Sequence, residues 1–189
     1  MTRVFLAAVF VLAGCGSTPQ PPDWQLNASQ GLEAFQRNYL VGNTRASEAD
    51  FALAKSELAR TGREDLVARA ELVRCALRTA SLEFDECPAF EALRSGARAE
   101  EIAYADYLAG RAPRVAAEDP LSRLVAAGVQ LKTGGINPAT ISSAVEIASA
   151  QGWRRPLLAW LGVQIKRAED AGDSETAAGL RRRIKLISG

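Results

Sequence analysis

The sequence predicts an all-α fold of four helix-turn-helix units behind one N-terminal helix, and three observations carry that expectation. Alanine, leucine, arginine and glutamate, all strong helix formers, dominate the composition. Apolar residues recur at spacings of three and four rather than in the alternation of a half-buried strand. Gly62, Gly96, Gly135 and Gly172 stand 34, 39 and 37 residues apart, each in a turn between two expected helices. A period in that range marks stacked helical hairpins, because one hairpin cannot bury its apolar face alone. The expected stack is a right-handed α-solenoid of about four hairpins, and a compact irregular helical bundle is the alternative packing of the same helices.

The elements follow in order. Asn27 or Ser29 can cap a first helix whose stripe is Leu32, Phe35, Tyr39 and Leu40, ending at Gly42. Ser47, with Asp50 three residues on, opens a second helix carrying Phe51, Leu53, Ala54 and Leu58. Residues 64–82 form the third, with Leu66, Ala70, Val73 and Leu77 in phase. After Cys87, Pro88 suits the first turn of a short helix through Phe90 and Leu93, and residues 100–108 follow with Ile102, Ala105 and Leu108 on one side. Asp119-Pro120 and Asn137-Pro138 each place an N-cap residue before a proline, starting helices that stop at Thr133-Gly134-Gly135 and Gln151-Gly152. Pro156 opens a helix through Leu157, Leu161 and Ile165, and Asp173 or Ser174 caps a last one with Ala177, Leu180, Ile184 and Ile187.

Ahead of these helices lies a different kind of segment. A single positive charge, Arg3, precedes nine apolar residues, 4–12, too few for the roughly 20 of a membrane span and suited to a secretory leader. The stretch closes on Leu12-Ala13-Gly14-Cys15. Residues 16–23 are polar and proline-rich, an extended tether of roughly 25 Å at about 3 Å per residue. The expected organisation is a leader over 1–14, a modified N-terminus and tether over 15–27, and one helical domain over 28–189.

Leu12-Ala13-Gly14-Cys15 resembles the lipobox of bacterial lipoproteins. The resemblance implies that the leader is removed, that Cys15 becomes the first residue, and that its thiol carries a diacylglycerol, usually with a third acyl chain on the amino group. More than one chain makes a stable anchor. Gly16 is not the aspartate that the family uses for inner-membrane retention, so the resemblance implies the outer membrane, facing the periplasm. The hairpin period over 47–187 is also similar to that of tetratricopeptide-like solenoids, although the family's Trp, Leu-Gly and Tyr positions do not recur here.

Composition narrows the chemistry. The chain has 23 basic and 22 acidic residues, which supplies no global field for nucleic acid. Charge is uneven, with 10 basic and 15 acidic residues over 46–119 against 8 and 4 over 150–189, where Arg181, Arg182, Arg183 and Lys185 cluster. That end could touch anionic headgroups or an acidic partner, or simply solvate a helix whose C-terminal dipole favours cations. There is no histidine, the commonest general base and zinc ligand, so among enzyme readings only carboxylate chemistry remains.

Cys75 and Cys87 are the pair left after Cys15, and in an oxidising compartment a spacing of twelve predicts a disulfide pinning one unit to the next. Adjacent acids at Glu64-Asp65, Asp85-Glu86, Glu100-Glu101, Glu118-Asp119 and Glu169-Asp170 do not converge on a helix, and three pairs fall at helix N-termini, where they complement the dipole. Trp160 and Phe90 read as core. Tyr104 and Tyr107, one turn apart, are the candidate partner-binding residues, as anchors if exposed and as core if packed between hairpins. No phosphate loop, metal-spaced cysteines or activated nucleophile is present in the sequence, so no cofactor, metal or small-molecule substrate is expected.

The expected function is a membrane-anchored, non-catalytic scaffold or adaptor for an envelope protein complex. A periplasmic inhibitor or immunity-type protein bound to one enzyme is the second expectation, and a carboxylate-only hydrolase the third.

Overall fold

The computed structural model describes residues 20–113 and 118–189, and among them the chain is helical with no strand. Nine α-helices form among the described residues: α1 (Asp23–Leu40), α2 (Thr44–Ala59), α3 (Glu64–Ala80), α4 (Pro88–Glu91), α5 (Ala99–Leu108), α6 (Pro120–Lys132), α7 (Pro138–Ala150), α8 (Arg154–Asp170) and α9 (Ser174–Ser188), with a 3₁₀ turn at Arg94–Gly96. The all-α expectation holds for the described residues. Cys15 and the leader lie outside them.

Where the chain carries its own start signal, the helix begins there. Asp119, Asn137 and Asp173 each accept a hydrogen bond from the backbone N–H three residues on, at Ser122, Thr140 and Thr176. Three starts differ from expectation. α1 begins at Asp23, after Pro22, so Asn27 and Ser29 are interior rather than caps and residues 23–27 are helical. The reason is packing: Trp24 and Ala28 extend the stripe of Leu32, Phe35 and Tyr39 back by two turns. α2 begins at Thr44 because the turn at Gly42 sets the chain's direction, which leaves Ser47 buried in the first turn with its hydroxyl donating to the Thr44 carbonyl. α8 begins at Arg154, with Pro156 inside its first turn.

Helix ends repeat one device. At α1 the Gly42 N–H donates to the Tyr39 carbonyl and the Asn43 N–H to the Asn38 carbonyl, with Gly42 left-handed at φ +83°. The same pair of bonds closes α3, α5, α6, α7 and α8. At α3 the left-handed residue is Leu82, φ +61°, where a glycine is usual. Gly96 and Gly135, two of the four periodic glycines, are not the left-handed residues; Gly110 and Gly134 are. The regular device therefore occurs at nearly every helix end rather than once per hairpin.

Two apolar clusters share α3. Phe35, Tyr39, Leu40, Phe51 and Leu58 of α1 and α2 close on Ala70 and Leu77. Leu72, Ala76 and Ala80, on other faces of α3, pack with Phe90, Leu124, Ile141, Trp160 and Leu161. Small residues permit the closest approaches. A methyl group at Gly31 would lie 2.9 Å from Ala54 Cβ, and one at Gly128 in α6 would strike the Thr79 carbonyl of α3.

Each later helix packs on its predecessor from α6 to α9, and α8 also reaches α1. Arg155 makes that contact: its Nε donates to the Tyr39 carbonyl at 2.8 Å, Nη2 to Thr44 Oγ1 at 2.7 Å and Nη1 to Glu83 Oε1 at 3.1 Å, with the guanidinium 4.3 Å from the centre of the Tyr39 ring. Trp160, fully buried one and a half turns on, donates from Nε1 to the Ala80 carbonyl at 3.1 Å. Cys75 and Cys87 are joined, with Cα atoms 5.8 Å apart, so the end of α3 is tied to the start of α4. The unit expected there is reduced, because α4 is a single turn.

Candidate partner-binding recess

Four helices that are not consecutive in the chain leave a recess of about 430 Å³ between them. α3 supplies its floor from successive turns, Leu72 and Val73, then Ala76 and Leu77; Leu121 and Val125 of α6 complete the apolar part. The rim is polar, with Gln36 from α1, Arg69 from α3, Glu100 from α5 and Ser122 from α6. An apolar floor under a few polar groups is the usual form of a surface that receives a side chain from another molecule.

Tyr104 stands in the wall, half-buried, and burial pushes its hydroxyl up to about 12, aided by Tyr107 and Asp119. It therefore stays protonated and can donate at any physiological pH. Tyr107 lies elsewhere. Its side chain is buried in the main core, with its ring centre 5.9 Å from that of Tyr104. Of the two candidates, one lines the recess and the other belongs to the interior, because residues three apart on a helix differ by about 60° in direction.

The α5 edge is held from below. Glu101 is buried and its carboxylate accepts the Arg98 N–H at 2.8 Å, so it closes the helix start. Arg98 reaches across to Asp65 at the start of α3, 3.0 Å from Nη2 to Oδ2, and Asp65 also takes Arg63 at 2.6 Å. The Arg63 hydrogen bond, with Arg98 beside it, holds the Asp65 carboxyl down at about 2. The remaining acid pairs are likewise engaged: Asp85 with Arg78, Glu86 with Lys132, Asp119 as a cap, Asp170 with Lys166 and Glu169 with Arg181. The two acids on the recess, Glu100 and Glu101, are chain neighbours, and Glu101 is already committed to its helix end.

Sulfur and carboxylate also meet at Cys75, Asp85 and Cys87, whose potential ligand atoms lie within 4.8 Å. The two sulfurs are bonded to each other, and Asp85 accepts the Cys87 N–H at 2.9 Å while pairing with Arg78. That cluster serves the covalent tie.

Sequence reasoning found Tyr104 and missed the rest of the recess. Gln36, Arg69, Leu121 and Ser122 belong to no motif, and only the phase of each helix marks them as facing one way. No family model matches the chain, and no curated protein or solved structure matches it.

Proposed function

We propose that the protein is a lipid-anchored, periplasm-facing scaffold or adaptor that receives part of a partner protein in the recess between α3, α5 and α6. The recess carries the reading: it is concave, apolar below and polar at its rim, and its two acids are chain neighbours, of which Glu101 is spent on the helix start. Lipid on Cys15, exposed by removal of the 1–14 leader, would supply the anchor and the proline-rich segment the reach. The hairpins α6–α7 and α8–α9, joined through turns of the same form, support the finer reading of a short solenoid-like array folded back on α1 by Arg155. With no histidine in the chain, the proposal assigns no catalytic residue, cofactor or metal.

Photo-cross-linking in intact cells tests it. A photoreactive residue replaces Tyr104 in the wall, or the exposed Leu53 of α2 outside the recess, in the wild-type chain and in Cys15→Ala exported by a non-lipoprotein signal. The scaffold reading expects an envelope protein captured from position 104 and not from 53, and only from the anchored chain. One soluble enzyme captured equally by both chains would sink it and favour an inhibitor. Mass spectrometry of the mature N-terminus checks the anchor separately, since an unmodified Cys15 ends that part of the reading.

A further inference from the structure

The last helix presents a second surface, remote in character from the recess. At 100° per residue, Ala177, Leu180, Ile184 and Ile187 fall on one side of α9 and pack on α8, while Arg182, Lys185 and Leu186 fall on the other. The outer side is open. Arg182 and Lys185 are exposed, and Leu186 is 84% exposed, more than Val41, Leu53 or Phe84, the other large apolar side chains left to solvent among the described residues.

The cations there are largely uncommitted. Arg181 pairs with Glu169, but Arg183 meets only the Ser149 hydroxyl, at 3.0 Å, and keeps its charge. Residues 150–189 hold 8 basic and 4 acidic side chains, and Arg181, Arg182, Arg183 and Lys185 account for the whole excess, so the charge is concentrated at this end of α9. Glu175, at the first turn, is the acid on this face and lies about two turns from Arg182 and nearly three from Lys185.

We infer that the outer face of α9 lies on an anionic phospholipid surface, with Arg182 and Lys185 against headgroup phosphates, Arg183 at the edge of the face and Leu186 entering the boundary of the acyl layer. Charge complementarity argues for lipid. Each cation near such a surface strengthens binding about fivefold, and Leu186 protrudes among the cations as the one apolar side chain placed to enter the boundary. A protein interface fits less well, since stable ones bury about 800 Å² per partner around aromatic anchors, and this face offers one leucine and no aromatic. The inference deepens the anchored reading: tethering at Cys15 would raise the effective concentration of headgroups, so a weak contact suffices to orient the domain.

Vesicle co-sedimentation tests the face without the anchor. Among the described residues every helix lies between Asp23 and Ser188, so a chain beginning at Gly16 keeps all of these helices and carries no lipid. Vesicles with about a third phosphatidylglycerol are compared with pure phosphatidylcholine, at low salt and at about 0.5 M salt, where screening removes long-range attraction. The expected result is binding to the anionic vesicles alone, lost in high salt, and weakened about 100-fold in R182Q/R183Q/K185Q. Leu186→Ser should weaken it severalfold while leaving the salt dependence in place.

Equal binding to both vesicles, or binding untouched by the triple substitution, overturns the inference. So does a concentration-dependent dimer that L186S abolishes in the absence of vesicle binding, because the face would then belong to a second copy. All four side chains are exposed, and circular dichroism shows whether each variant keeps its helices. Failure of Cys15 to carry lipid would leave these results unchanged, so the two readings fail separately.

Discussion

α3 and α9 are amphipathic helices of similar length, 17 and 15 residues, built from much the same amino acids, yet nine residues of α3 are buried and only Ala177 of α9 is. α3 meets α1 and α2 on one side, α5 and α6 on another, and carries the disulfide near its end. α9 has α8 as its main neighbour and an outer face full of cations. Helix propensity is comparable in the two, so the difference comes from position in the array: an interior helix is packed from several directions and a terminal one from a single direction. The interior helix builds the recess, and the terminal one is left free to meet another surface.

The comparison can be broken most severely through α8, whose Trp160 reaches the end of the central helix α3. Trp160→Ala removes a fully buried ring and leaves the Ala80 carbonyl without its indole N–H. A loss of about 3–5 kcal/mol is expected by denaturant titration, with the unfolding transition losing cooperativity between α3 and α8. A loss below about 1 kcal/mol would mean that α3 does not depend on α8.

Opening the covalent tie comes next. Cys75→Ala with Cys87→Ala is expected to cost about 3 kcal/mol, from the unfolded-chain entropy that a twelve-residue closure removes. The wild type measured in a reducing dithiol should fall by the same amount, and the double variant should ignore the dithiol.

At the other helix the effect should be smaller and local. Asp173→Ala deletes the bond to the Thr176 N–H. About 1 kcal/mol of α9 stability should go, seen as faster amide exchange within 174–188 and little change in the global midpoint. A fall in global stability as large as that of the cysteine variant would show that α9 is not the loosely held element described.

The smallest effect is one of pH. Asp65 is held below the ordinary 3.8, at about 2, first by Arg63 and then by Arg98. A carboxylate with a lowered folded pKa contributes stability that is complete above its unfolded value and fades as pH falls through the folded one. Asp65→Asn should therefore flatten the stability profile between pH 3.8 and about 2 and leave its slope near neutrality unchanged. An unaltered acid slope would show that the Arg63–Asp65–Arg98 bridge contributes nothing in solution.

Legibility followed the range of the interaction. Asp119-Pro120 and Asn137-Pro138 announce α6 and α7, because a cap and a proline act within one turn. Cys75 and Cys87 find each other across a short reversal of chain. The start of α1 was misplaced because Trp24 and Ala28 are helical through their packing in the α1–α2–α3 cluster, not through any local cap. Leu82 was invisible as a helix stop, since leucine rarely adopts the left-handed conformation that the α3 end requires. Tyr104 and Tyr107 looked equivalent in sequence and are separated only by which way α5 is turned against α6.

Taken by itself, the sequence determined an all-helical chain, most helix boundaries, the caps at Asp119, Asn137 and Asp173, the cysteine pairing and the basic cluster near the C-terminus, all properties of residues within a few turns of one another. The tertiary structure alone decided that α3 is the shared wall of two cores, that α8 returns to α1 through Arg155, and that Gln36, Arg69, Tyr104 and Val125 border one recess. Those outcomes join residues as far as 116 positions apart, as in the Arg155–Tyr39 bond. Helical phase says which face of each element is apolar, and only the packing of several such faces selects the neighbours they bury against.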